Sequence, residues 1–238
     1  MRRLAGPTET PSMALPISRA ALARTLPFAA FMVLLALRGS LPPAGVLGLD
    51  PRWVYGLTVL VVGALLAWFW RDYRELSLAT LPTGGEAALA LAVGGVVCVL
   101  WVHLDAPWMR LGEATASFVP VDAQGRLEWP LIAVRWIGAS LLVPVMEELF
   151  WRSFLMRWIQ NPQFEAVLPR SVGLKAVALS TLVFMLAHTL WLGAIIAGLA
   201  YAWLYLRTGK LWVPILAHAV TNGALGVWVV MSGQWAFW

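Results

Sequence analysis

The sequence predicts an all-α fold, a polytopic transmembrane bundle of about seven to eight membrane helices enclosing a polar intramembrane cavity. Three observations carry this expectation. Of 238 residues, 61% are hydrophobic and only 12% charged, against about 25% charged in soluble domains. Several uncharged runs approach the roughly 20 residues that a helix needs to cross a bilayer. Within one such run stand two glutamates and an arginine, Glu147-Glu148-Leu149-Phe150-Trp151-Arg152. Charges at that depth are costly unless they face a protein interior or a wet cavity.

The elements follow in order. Residues 1–24 contain Pro, Thr and the arginines Arg2, Arg3, Arg19 and Arg24, and read as a flexible cytoplasmic N-terminal tail. Residues 25–238 read as a single transmembrane domain. The first apolar run outlasts the h-region of a secretion leader and no clear small-x-small site follows it, so it is taken as a membrane span. Seven spans are expected at about 25–41, 53–70, 86–104, 130–158, 173–190, 191–206 and 211–231. Pro42-Pro43 ends or bends the first. The fourth is long enough to divide, which would make eight. The fifth and sixth are short and are expected to sit against partners away from lipid. No charged residue lies between Lys175 and Arg207, which suits a tight helical hairpin turning near Trp191. Gly94-Gly95 and Gly223 are read as helix-packing points. Loop 105–129 is the longest external connection and is read as a linker in preference to a shaped entrance. Cys98 is the single cysteine, so an intrachain disulfide and a cysteine-based metal site are excluded, and Cys98 reads as a packing residue.

The net charge is +5, but the arginines flank apolar spans and do not cluster on one face. They read as topology signals, and nucleic acid is not expected as a partner. The N-terminal tail, Arg71/Arg74, Arg157/Arg170/Lys175 and Arg207/Lys210 fall on one side. Arg38, Arg52, Arg110, Arg126 and Arg135 fall on the other, diluted by Asp50, Asp105, Glu113, Asp122 and Glu128. This predicts a cytoplasmic N terminus and an external C terminus. Trp53, Trp70, Trp108, Trp129, Trp212 and Trp235 near span ends suit an aromatic belt. The expected location is the bacterial inner membrane, with the lipid bilayer as surroundings.

On a helix Glu148 and Arg152 share a face and can pair. Glu147 is rotated about 100° from Glu148, so one carboxylate can be neutralised while the other faces a cavity. A buried Glu–Arg pair that only fixes register would leave Glu147 without a partner. Phe184 and His188 are one turn apart and face the same way. His218 and Asn222 likewise share a face, and each other's side chains could satisfy them. A lone histidine on an apolar helix is commonly a core residue. The three segments together supply a carboxylate, two imidazoles and a carboxamide, which are parts for activating water and stabilising an oxyanion. Glu147 and His188 could hold and deprotonate water, and His218 and Asn222 could donate to the developing oxyanion. No serine or cysteine stands beside a histidine as a nucleophile would; Ser180, two turns before His188, is weak evidence.

In this order, Glu147-Glu148-x-x-x-Arg152, Phe184-x-x-x-His188 and His218-x-x-x-Asn222 resemble the three motifs of the type II CAAX prenyl endopeptidases, the intramembrane glutamic proteases of the CPBP or ABI group. The approach to the last motif, residues 198–222 with Tyr205, Arg207, Gly209 and Pro214, is similar too. The resemblance covers about residues 130–225, the motif-bearing core; the N-terminal half matches only as generic membrane helices. It implies a helical core around a conical cavity. Glu147 and His188 would activate water, and His218 and Asn222 would form the oxyanion site. Glu148 and Arg152 would support them, and Phe184 would pack the wall. It implies an endopeptidase acting without metal or other cofactor on a membrane-associated peptide or protein, with a C-terminal, lipidated tail as one substrate class. Three other readings stay open: a zinc peptidase with Glu147, His188 and His218 as ligands, although no His-Glu-x-x-His pairing is present; a proton-coupled transporter; and a non-catalytic membrane scaffold. The sequence leaves the oligomeric state open.

Overall fold

The computed structural model describes residues 18–42, 45, 48–112 and 118–238. Among these residues seven main helices follow one another: α1 (Arg19–Ser40), α2 (Val54–Trp68), α3 (Gly84–His103), α4 (Trp129–Gln160), α5 (Leu174–Leu186), α6 (Trp191–Thr208) and α7 (Trp212–Ser232). Short 3-10 turns lie in several of the connections, and β-pairing among the described residues is confined to isolated bridges. Among the described residues, five helices are long and apolar enough to cross a membrane: α1, α2 with the turn before it (Pro51–Trp68), α3, α4 and α7. The chain is an all-α integral membrane protein.

α1 begins six residues earlier than expected. The Ser18 hydroxyl accepts the Ala21 N–H at 3.1 Å and caps the helix, satisfying a donor that would otherwise be orphaned. Arg19 and Arg24 therefore belong to the bundle, while residues 1–17 of the expected tail lie outside the described residues. Arg24 is buried. Its Nη2 lies 2.7 Å from Glu75 Oε2, and its Nε donates to Ser153 Oγ at 3.0 Å. Ser153 in turn bonds to Glu75 Oε1. Arg157 is buried as well, donating to the Val167 and Glu165 carbonyls at 2.9 and 3.1 Å. These two arginines do more than mark topology: they tie α1, the 70–80 connection, α4 and the 161–172 connection into one end of the bundle.

α4 is a single long helix and does not divide. It widens twice into π-helical stretches, Gly138–Leu142 and Leu149–Leu155, where the Val143 N–H reaches the Gly138 carbonyl and the Met156 N–H the Trp151 carbonyl. The first stretch runs up to Pro144, which has no N–H for the usual ladder. The second lies between Glu148 and the helix end and carries Arg152.

α3 packs closely along α7. Gly94 makes this possible, because a Cβ there would lie 2.4 Å from the Ala217 carbonyl oxygen. Thr221 Oγ1 lies 2.9 Å from the Gly94 carbonyl and 3.1 Å from that of Ala217, so its one hydrogen serves either. Gly95 does not share this role, since a Cβ there would meet nothing within 4 Å; one residue along the helix it points away from α7. Gly223 sits in ordinary contact with Ser140, and its carbonyl accepts the Trp136 Nε1–H at 2.9 Å, joining α7 to α4. Cys98 is buried against Leu225 and Val229, a packing residue as expected.

Candidate active site

α4, α5 and α7 bring the charged and polar motif residues to one cavity of about 260 Å³. Glu147, Phe184, His188, His218 and Asn222 all line it. Glu148 and Arg152 stand behind that wall, 0% and 3% exposed.

The two adjacent carboxylates have separate surroundings. Glu147 faces the cavity, and its Oε2 accepts the indole N–H of Trp151 at 3.2 Å. Glu148 is turned inward: its Oε1 accepts from Arg152 Nη1 at 3.1 Å and lies 2.9 Å from His218 Nδ1. Arg152 is held further by the Gly198 carbonyl at 3.2 Å and by the ring faces of Phe184 and Tyr201, 4.8 and 5.4 Å from its guanidinium carbon. A charge so buried is tolerable because it is paired and hydrogen-bonded.

His188 is not on a helix. The expected span over 173–190 ends at Leu186, and His188 occupies the turn before α6. The ring is nonetheless anchored. Nδ1 lies 2.7 Å from the Phe184 carbonyl, which can only accept, so the proton sits on Nδ1 and a neutral ring leaves its Nε2 lone pair open. The Phe184 ring lies 4.3 Å away and the Trp101 ring meets it edge-on at 5.8 Å. The α5–α6 hairpin turns just before Trp191, as the uncharged run predicted.

His218 and Asn222 do not satisfy one another. His218 Nδ1 turns to Glu148, and Asn222 Nδ2 donates to the Ala139 carbonyl at 2.9 Å. The amide keeps a second hydrogen for another acceptor. Tyr201 stacks on His218 at 5.0 Å and anchors its own hydroxyl to Thr221 at 2.7 Å. Ser180 is spent locally, its hydroxyl donating to the Val177 carbonyl at 3.1 Å.

The cavity wall also holds side chains that the motifs do not single out: Tyr55 from α2, Trp101 from α3, Arg135 and Trp151 from α4, and Phe28 and Phe31 from α1. Trp151 had a signal, its position four residues after Glu147, and Arg135 had one as a charge within the second turn of an apolar helix. Loop 105–129 is more than a linker. The Leu111 N–H bonds to the Thr189 carbonyl at 2.7 Å, and the Trp108 carbonyl accepts the Trp191 Nε1–H at 3.0 Å, so the loop clamps the turn that carries His188. Residues 113–117 of this loop lie outside the described residues. Among the described residues, no three His, Cys, Asp or Glu side chains converge as a metal-binding group.

Residues 129–224, less than half of the chain, match the family model described as type II CAAX prenyl endopeptidase Rce1-like. No curated protein and no solved structure matches the chain. The matched segment runs from the first residue of α4 to two residues past Asn222 and contains all three motifs.

Proposed function

We propose that this chain, whose residues 129–224 match the model of the type II CAAX prenyl endopeptidase Rce1-like family, is a hydrolase of that family and cleaves a peptide bond near the C terminus of a lipidated membrane substrate by water activated between Glu147 and His188. Membership implies intramembrane CAAX protease activity. The observation that carries the finer reading is the shared cavity of Glu147, His188, His218 and Asn222.

The chemistry follows from the hydrogen bonds. The open Nε2 of His188 accepts one hydrogen of a water molecule and holds it. Glu147 removes a proton as the water oxygen attacks the scissile carbonyl carbon, with the Trp151 indole N–H keeping the carboxylate in place. The tetrahedral oxyanion receives the second Nδ2 hydrogen of Asn222. A donor at His218 Nε2 requires the doubly protonated ring, because Nδ1–H is already directed at Glu148. The oxyanion role thus assigns His218 the imidazolium form, with Glu148 as its counter-ion. Glu147 then delivers its proton to the leaving nitrogen, and the C–N bond breaks. One water is consumed, and an acid and an amine are released.

The orientation expected from the arginines, with the N terminus in the cytoplasm of a bacterial cell, forms part of this proposal. The test is reconstitution of the chain in vesicles with a farnesylated CAAX peptide, followed by mass spectrometry. A released C-terminal fragment, absent with Glu147→Gln, is expected. A transporter or scaffold would release none.

A further inference from the structure

One cation on the cavity wall has no part in the hydrolysis just described. Arg135 lies on α4, twelve residues before Glu147, so roughly 18 Å of helix rise separates their backbones. Its guanidinium carbon lies 4.4 Å from the centre of the Tyr55 ring and 5.8 Å from that of Phe118. Among the described residues no carboxylate pairs with it, and its buried Nε has no hydrogen-bond partner. Glu128, seven residues earlier, is engaged by Arg52. The Tyr55 hydroxyl beside it is likewise buried, in a side chain only 2% exposed; its neighbour Arg135 can only donate to it, so the phenol O–H has no acceptor. Gly138 leaves room for that hydroxyl, since a Cβ there would lie 2.8 Å from its oxygen. Tyr55 and Arg135 both line the cavity that holds Glu147 and His188.

Buried donors without acceptors are expensive, and more so in a membrane. The aromatic faces offset part of the cost of the charge, but they accept no hydrogen bond from the phenol and leave the guanidinium fork open. A carboxylate satisfies both groups at once: two oxygens accept from the planar fork, and a remaining lone pair accepts the phenol O–H. A second arginine, Arg38, has its guanidinium 5.3 Å from the same Phe118 ring. The distance to Glu147 suits a short peptide. The backbone separation, shortened by side chains reaching into the cavity, corresponds to about three to five extended residues.

We propose that Tyr55 and Arg135 form a subsite for the free C-terminal carboxylate of the substrate, so that the cut is placed by distance from the substrate's end. This rests on the hydrolytic reading above and adds the group that the substrate must present.

The test uses the full chain in phosphatidylcholine vesicles and two farnesylated peptides that differ only in ending as an acid or as an amide. The wild-type chain is expected to prefer the acid by about tenfold or more in kcat/KM, mainly through KM, as a site built to bond a polar group rejects an analogue lacking it. Arg135→Gln and Tyr55→Phe bring the ratio toward one, and Arg135→Lys, which keeps the charge but not the fork, retains part of it. Equal cleavage of acid and amide by the wild type overturns the subsite, as does an acid preference unchanged in Arg135→Gln and Tyr55→Phe. Binding of fluorescent versions of both peptides to Glu147→Gln separates the two proposals. If the wild type cleaves neither peptide, the hydrolytic reading fails. Acid-selective binding that Arg135→Gln abolishes still supports the subsite, whereas equal or absent binding overturns it. If Arg135→Gln does not fold, Tyr55→Phe and Arg135→Lys carry the same comparison.

Discussion

The carboxylate of Glu148 and the imidazole of His218 meet at 2.9 Å across 70 residues of sequence. The same oxygen holds Arg152 at 3.1 Å. One buried carboxylate oxygen therefore serves two partners, one structural and one facing the cavity.

Under the proposed mechanism Glu148→Gln is expected to lower the rate by about a hundredfold, because the oxyanion donor assigned to His218 loses its carboxylate partner. Glu148→Ala removes the acceptor altogether and strands Arg152, at a cost of about 3–5 kcal/mol typical of breaking a buried pair. Steady-state rates and thermal unfolding of both variants read the two effects apart. An active Glu148→Ala protein with unchanged stability would contradict the assignment.

Trp151→Phe keeps an aromatic ring on the wall and deletes the N–H that Glu147 accepts. The expected outcome is a fall of about tenfold in kcat with KM little changed, as when an interaction specific to the transition state is lost. Full activity in that variant would mean that Glu147 is positioned by something else.

Gly94 and Gly95 make a matched pair. Gly94→Ala drives a methyl group into the Ala217 carbonyl and is expected to destabilise the bundle by about 1–3 kcal/mol, the cost of overpacking. Gly95→Ala enters open space and should leave the unfolding temperature unchanged or raise it slightly. Equal effects at the two positions would contradict the α3–α7 packing.

Proteolysis by Glu147 and His188 should persist in the presence of phenanthroline or EDTA. Loss of activity with chelator and recovery with zinc would favour the metallopeptidase reading, in which Glu147, His188 and His218 are ligands.

Much of the bundle was legible because apolar runs are a direct record of what a bilayer requires. The expected spans 86–104 and 211–231 fall within two residues of α3 and α7. The Glu148–Arg152 pair followed from helical spacing alone. What the sequence hid depends on contacts between distant elements. Nothing near His188 announces that α5 stops at Leu186, since no Gly or Pro stands there; the loop clamped through Leu111 and Thr189 packs over this turn. His218 and Asn222, whose spacing would let each satisfy the other, instead take Glu148 and Ala139 as partners, because α4 presents better acceptors than the neighbouring turn of α7. Arg24 read as a flanking charge because its carboxylate partner, Glu75, lies 51 residues away. Tyr55 and Arg135 meet only once α2 and α4 are packed.

The most direct measurement is cleavage of the farnesylated peptide in isotopically heavy-oxygen water by the reconstituted chain and by Glu147→Gln. The account predicts one heavy oxygen in the newly formed carboxylate with the wild type and no product with the variant. Cleavage by Glu147→Gln at the wild-type rate, or intact peptide after incubation with the wild type, would contradict it.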